Sequence, residues 1–383
     1  MTAERSVLMV AEPTIAGVAQ CVADWAAGLT STGWRVTLAC PSRGWLAGAC
    51  RAMGVTVLPW EATGQAHRGL PGEARQFHAA VAESQPDVVF LNGAKAGFVG
   101  RWYLRGRIPT AFSPHSWAFE AASGRKAALG LRWEQFATRW TDVIIAVSEA
   151  EADAGRGLGI NAAYRIARNG IDLSQVIPRA DRGALRARMG IPDDEVAVVC
   201  VGRMHRQKGQ DVLVAAWPDV AEPDRRLYFI GDGPLLAETA ASTSRPDVVF
   251  VGEADRAQSM AWLQAADVVV VPSRWEGMAL VPLESLALGT PVIASDVTGI
   301  REAVASPDFG VLVPPESTAG LARALNDWIA NYSNQSSTEK ARSRARRRQW
   351  IESGFGIDVT LQVIDGSLTE LVNGSVRRKG AHH

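Results

Sequence analysis

Short apolar runs recur along this chain at strand length, with segments of helical spacing between them. In the first half they fall at 6–11, 35–40, 55–60, 87–91, 110–114 and 143–148, separated by helix-period stretches such as 18–29 and 74–83. A second series starts at Val196 and gives runs at 196–201, 227–230, 248–251, 268–271, 292–294 and 311–313. Runs this apolar do not alternate inside and outside. They belong in parallel strands covered on both faces, so the pattern predicts two doubly wound α/β units in tandem. The turn signal Asn169-Gly170-Ile171-Asp172 and the polar stretch 179–188 mark the junction. Near the end, 337–349 predicts a helix carrying Arg342, Arg344, Arg346, Arg347 and Arg348, read as a solvated basic face. A further helix spans 360–372, and 373–383 reads as a disordered tail.

Composition adds exclusions. A length of 383 residues exceeds one usual core, and 47% hydrophobic with 21% charged residues is ordinary globular usage. The longest apolar runs are strand-length, too short to span a bilayer, and no leader pattern opens the chain, which predicts a protein of the cytoplasm. Cys21, Cys40, Cys50 and Cys200 show no metal-ligand or redox spacing and read as reduced core residues. Net charge is zero, split as 18 basic and 14 acidic residues over 1–180 against 22 and 26 over 181–383. That asymmetry is too small for a nucleic-acid surface.

In open α/β sheets ligands collect where strands end, so candidates are the residues just past each run. Glu276-Gly277-Met278-Ala279-Leu280-Val281-Pro282-Leu283-Glu284 follows a buried strand and opens a helix. Its two carboxylates suit a polyhydroxylated ligand, and the helix start at Gly277, Met278, Ala279 and Leu280 offers N–H groups to an anion. Gly202-Arg203 and Lys208-Gly209 place two cations at another strand end, enough to hold a diphosphate. Gly231 and Gly252 each end a strand and let backbone approach a ligand. In the first half the corresponding residues are Gly17, Asn92-Gly93 and His115 in Ser113-Pro114-His115-Ser116-Trp117. Asn92 and Trp117 are read as acceptor-side. No Gly-x-Gly-x-x-Gly follows the first strand, and neither a P-loop, a nucleophile elbow nor an Asp-x-Asp metal pair is present. The basic and aromatic residues of 124–140, among them Arg125, Lys126, Arg132, Trp133, Phe136, Arg139 and Trp140, fit either an interfacial amphipathic helix or a core-facing aromatic stripe.

Taken in order, Gly17, His115, Asn169-Gly170-Ile171-Asp172, Gly202-Arg203, Lys208-Gly209, Gly231-Asp232-Gly233-Pro234 and the paired Glu276 and Glu284 resemble the family 4 retaining glycosyltransferases of GT-B fold. The resemblance implies two Rossmann-like domains facing across a cleft: 1–175 on the acceptor side, 176–353 binding the nucleotide sugar, and 354–372 as a helix returning to the first domain. It implies retaining transfer of a sugar from a nucleoside-diphosphate donor to a glycan, glycolipid or natural product, with no metal cofactor. Arg203 and Lys208 would hold the diphosphate, Glu276 the donor sugar and Glu284 the ribose. His115 would lie beside the donor sugar, and Gly17 near the diphosphate and acceptor. Where the family often pairs two glycines, this chain has Ala16-Gly17. Other readings are a sugar phosphorylase, a nucleotide-sugar epimerase or a non-catalytic sugar-nucleotide or glycan-binding module. Expected partners are the donor, the acceptor and, at its periphery, an anionic membrane, with no nucleic acid.

Overall fold

The structure is a computed structural model that describes residues 5–62, 69–176, 178 and 181–380, with side chains through 374. Two compact units divide it. The first comprises Met1–Asn169 with Ile357–His383, and the second Gly170–Gly356.

The first unit is a seven-stranded parallel sheet in the order β3-β2-β1-β4-β5-β6-β7. Its strands are β1 Arg5–Ala11, β2 Trp34–Cys40, β3 Thr56–Pro59, β4 Val88–Asn92, β5 Thr110–Ser113, β6 Val143–Ala146 and β7 Tyr164–Ile166. All but β7 coincide with a predicted run. Tyr164–Ile166 has three residues, one of them Arg165, and no apolar period to betray it. The central strands are buried on both faces, as β4 shows with every residue covered. That burial is why Val-Val-Phe-Leu reads as continuous rather than alternating.

The second unit is a six-stranded parallel sheet ordered β10-β9-β8-β11-β12-β13. Its strands are β8 Val196–Val201, β9 Arg225–Ile230, β10 Val248–Gly252, β11 Val268–Val271, β12 Val292–Ser295 and β13 Gly310–Val313. Both sheets reverse their winding at one place, between β1 and β4 in the first and between β8 and β11 in the second. At such a reversal adjacent connections leave on opposite faces and open a crevice at the strand ends. This is what positions the candidate residues.

The closing helix Ile357–Gly380 belongs to the first unit. Trp34 Nε1 donates to Asp365 Oδ1 (2.6 Å), Thr360 Oγ1 donates to the Arg168 carbonyl (2.6 Å), and Ile364 and Leu368 are fully buried. Helix Ala16–Ser31 meets it at Gly28, where any Cβ would collide with Leu361. The units meet along the chain at 169/170 and 356/357 rather than at 175/176 and 353/354, because Ile171 N donates to the Phe355 carbonyl (2.9 Å) and Ile171 bridges Gly356. The expected disordered tail is corrected as far as Gly380, which ends the helix, while 381–383 lie outside the described residues. The predicted basic face of helix Ser337–Gly354 is also corrected at Arg347. That side chain is buried and donates to the carbonyls of Asp308 (2.9 Å) and Gly289 (3.0 Å), tying the helix to two loops.

Candidate functional site of each unit

In the second unit the crevice between β8 and β11 brings Lys208 and Glu276 together. After β8 the chain turns through Gly202-Arg203 into a short 3-10 turn Arg206–Lys208 and then helix Gln210–Ala216. After β11 it passes Ser273 to Gly277 and enters helix Leu280–Ala287, whose N-cap is Ala279. Lys208 Nζ donates to Glu276 Oε1 at 2.5 Å, Ser273 Oγ donates to the same oxygen at 2.8 Å, and Gln207 Nε2 approaches Oε2 at 3.4 Å. Glu276 is 5% exposed, so these donors replace the water it has lost. Lys208 and Glu276, 68 residues apart in sequence, thus share one spot. Arg203 is exposed and its carbonyl accepts from Gln210 Nε2 (3.0 Å), leaving the guanidinium without a carboxylate among the described residues.

Glu284 sits one turn into the next helix and is 4% exposed. Burial pushes its carboxyl upward, and Arg256 opposes that shift by donating from Nη1 to Oε1 at 2.7 Å. Sequence reasoning missed Arg256, since nothing in a lone Arg after a glycine turn announces a partner 28 residues away. It missed Arg274 as well. That side chain donates to the Arg206 carbonyl (2.8 Å), to both Asp211 oxygens (2.8 and 2.7 Å) and to Glu316 Oε1 (2.7 Å), while its backbone N donates to the Gln207 carbonyl (2.7 Å). Arg274 therefore clamps the turn that carries Lys208.

The glycines divide into two groups. A Cβ at Gly231 would fall 2.2 Å from the Gly202 carbonyl oxygen and one at Gly233 2.4 Å from that of Met204. Their smallness serves the approach of one loop to another, with Met204 N donating to the Asp232 carbonyl (2.9 Å). Gly252 has φ +86° and open space at its Cβ, yet its carbonyl already accepts from Gly231 N (2.7 Å). Gly277 accommodates Gly299, whose Cβ would overlap the Gly277 carbonyl, and Met278 and Leu280 are buried beside it.

The first unit builds its strand ends differently. His115 follows β5 with φ +58°, and Ser116 follows with φ +125°, two successive non-glycine residues in backbone regions that L side chains avoid. The ring stacks on Trp25 at 5.1 Å, and its Nε2 lies 3.3 Å from Asn92 Oδ1. Asn92 Nδ2 donates to the Phe90 carbonyl (3.1 Å), so its oxygen faces the ring as acceptor. Nε2 therefore carries the proton, and Nδ1 is left as an acceptor. Burial lowers the imidazole to about 3, which keeps it neutral. Asn92 is fully buried and orients His115 rather than lining an open surface. Trp117, expected on the acceptor side, is 1% exposed; its Nε1 donates to the Glu151 carbonyl (2.9 Å) and its ring stacks on Phe119 (5.7 Å). It is a core residue. Gly17 lies in the first turn of helix Ala16–Ser31 with open space at its Cβ, and Ala16 before it holds φ +66°.

Two doubly wound parallel sheets in tandem, the second carrying the Lys208–Glu276 pair where its winding reverses, have the architecture of the GT-B glycosyltransferases. The chain matches the model described as Glycosyltransferase Family 4 over residues 15–175 and that described as Glycosyl transferases group 1 over 195–331. It is 32% identical to a D-inositol 3-phosphate glycosyltransferase of Catenulispora acidiphila, covering 67% of this chain and 68% of the relative. To a protein of the same name from Kineococcus radiotolerans it is 30% identical over 82% of this chain and 80% of the relative. Among solved structures, a sucrose-phosphate synthase from Thermosynechococcus elongatus superposes with TM-score 0.80 at 25% identity, over 97% of this chain and all (100%) of the other. The Anabaena protein HepE in complex with UDP-glucose gives 0.79 at 21% identity, over 95% and 99%. The chain belongs to glycosyltransferase family 4.

Proposed function

We propose that this glycosyltransferase moves a sugar, with retention, from a nucleoside-diphosphate donor held by the second unit to a hydroxylated acceptor served by the first. The observation that carries the donor assignment is the Lys208–Glu276 pair at the β8/β11 switch point. When a donor arrives, Lys208 turns from Glu276 to the diphosphate and Glu276 turns to sugar hydroxyls. Arg203 and the helix start at Gly277 to Leu280 add positive field. As the anomeric bond stretches, negative charge grows on the leaving diphosphate, and these groups stabilise it where it develops. The departing phosphate takes the acceptor proton on the face where the new bond forms, so the anomeric configuration is kept. Because side chains and backbone N–H groups supply the charge, turnover is expected to proceed without a metal ion. His115, neutral and held by Asn92, offers Nδ1 to a hydroxyl.

The acceptor is a glycan, a glycolipid or a small polyol. Inositol 3-phosphate is the first to try, from the names of the relatives, and UDP-glucose is the first donor, from the complex with HepE. The test is release of nucleoside diphosphate with and without acceptor, followed by NMR of the product's anomeric proton. Acceptor-dependent release with retained configuration is expected. Inorganic phosphate replacing the acceptor would mean a phosphorylase, sugar isomerisation without transfer an epimerase, and tight binding without turnover a binding module. A rate unchanged by chelator is the expected sign of metal independence.

A peripheral contact with an anionic membrane is proposed for the first unit. Helix Gly124–Ala137 and its neighbours expose Leu129, Phe136 and Trp102, with Trp102, Trp133 and Trp140 mutually within 6.3 Å. Around them Arg105, Arg107, Arg125, Lys126, Arg132 and Arg139 are exposed. No described helix is long and apolar enough to cross a membrane. Aromatic side chains at lipid headgroup depth with a basic rim suit adsorption to anionic lipid, roughly 1 kcal/mol per basic residue near the surface. Co-sedimentation with anionic vesicles at low salt, lost with neutral vesicles, is the expected result.

A further inference from the structure

Arg256 is the first residue of helix Arg256–Ala265, directly after the N-cap Asp255. That is the wrong end of a helix for a cation, because the dipole there is positive. The site is nevertheless rigidly built. Asp255 Oδ1 accepts from Gln258 N (2.8 Å) and Gln258 Oε1 accepts from Asp255 N (2.8 Å), a reciprocal cap that fixes the backbone from which Arg256 projects. The guanidinium meets Glu284 Oε1 at 2.7 Å. Arg256 remains 30% exposed, while Glu284 is sunk to 5% at the side chain. Only the acid of this pair is deeply buried. Arg256 ties the acid through Oε1.

Building on the nucleotide-sugar reading, we propose that Arg256 is a positioning residue for the donor's ribose, holding Glu284 charged and rotated so that Oε2 accepts the vicinal 2′ and 3′ hydroxyls, and that the enzyme thereby selects ribonucleotide over 2′-deoxyribonucleotide donors. A buried carboxylate built to accept two hydroxyls is left partly unpaired by a sugar that lacks one, which is a strong basis for rejection. Arg256 sets the geometry from outside the contact.

The test is calorimetric titration of the full chain with UDP, GDP and ADP and with their 2′-deoxy counterparts, on wild type, Arg256→Ala and Arg256→Lys. Wild type should prefer the ribonucleotide about 10- to 100-fold, the value of a hydrogen bond to a charged group. Arg256→Ala should bind the ribonucleotide at least about tenfold more weakly, its preference shrinking to less than about threefold, and Arg256→Lys should restore most of both. Melting temperatures recorded on the same samples show that all three are folded. If wild type and Arg256→Ala discriminate equally, the role of Arg256 is overturned while the donor reading stands. If no nucleoside diphosphate binds wild type, both fall.

Discussion

The strand ends of the two units solve their task with different materials. In the second, charge is set against charge: Lys208 with Glu276, Arg256 with Glu284, Arg274 with Asp211 and Glu316. In the first, the candidate residues Gly17, Asn92 and His115 are uncharged and the backbone is bent, with Ala16, His115 and Ser116 all at positive φ and the imidazole kept neutral by burial. A leaving diphosphate needs positive field, and field comes from ions. A hydroxyl needs an aimed acceptor, and aim comes from a backbone that the surrounding core holds in place.

If that contrast is right, removing a charge in the second unit should cost the most. Lys208→Ala should lower kcat by roughly a hundredfold to a thousandfold, ~3–4 kcal/mol of leaving-group stabilisation, in steady-state assays with a saturating acceptor. A loss under threefold would mean that Lys208 merely neutralises Glu276. The first unit should answer to pH through stability. His115 falls from 6.5 unfolded to about 3 folded, so the unfolded state binds more protons between those values. Stability is therefore full above 6.5 and is lost as pH drops toward the folded value. With the ring still partly open to solvent, the loss should be about 1 kcal/mol per pH unit, below the 1.4 limit. Denaturant titrations between about pH 7 and pH 5 should show this slope in wild type and lack it in His115→Gln.

Smaller effects sharpen the picture. Arg274→Ala frees the turn bearing Lys208 without removing a donor, so turnover should fall about tenfold through misplacement, with melting temperature little changed. Ala16→Gly removes a methyl from a left-handed backbone and should raise unfolding free energy by about 1 kcal/mol, measured by urea titration. No gain there would mean that the first unit stores no strain at that turn.

The sequence was a better guide to the second unit than to the first, for the same reason. Valine-rich strands leave a continuous apolar trace, and a carboxylate or cation after one is conspicuous, so Arg203, Lys208, Glu276 and Glu284 stand out as candidates by residue type and place. The ion-pair partners could not. Arg256 and Arg274 become visible only when the sheet closes the distance to residues 28 and 63 positions away. In the first unit His115 is a candidate by its place at a strand end, but its positive φ and its hold on Asn92 leave no mark in composition. The burial of Trp117 was not legible, because an aromatic side chain at a strand end looks the same in sequence whether it is open or, as here, packs between Phe112 and Phe119. Arg347 misled in the opposite sense, one buried side chain hidden in a run of exposed-looking arginines.

The return of helix Ile357–Gly380 to the first unit has a consequence for biogenesis. A ribosome emits every residue of 170–356 before the segment that covers Gly28 and receives the Trp34 indole. The second sheet can thus close while the earlier one still waits, its flank wet and open to chaperones. Nascent chains stalled just short of 357 should carry one protease-resistant body, not two.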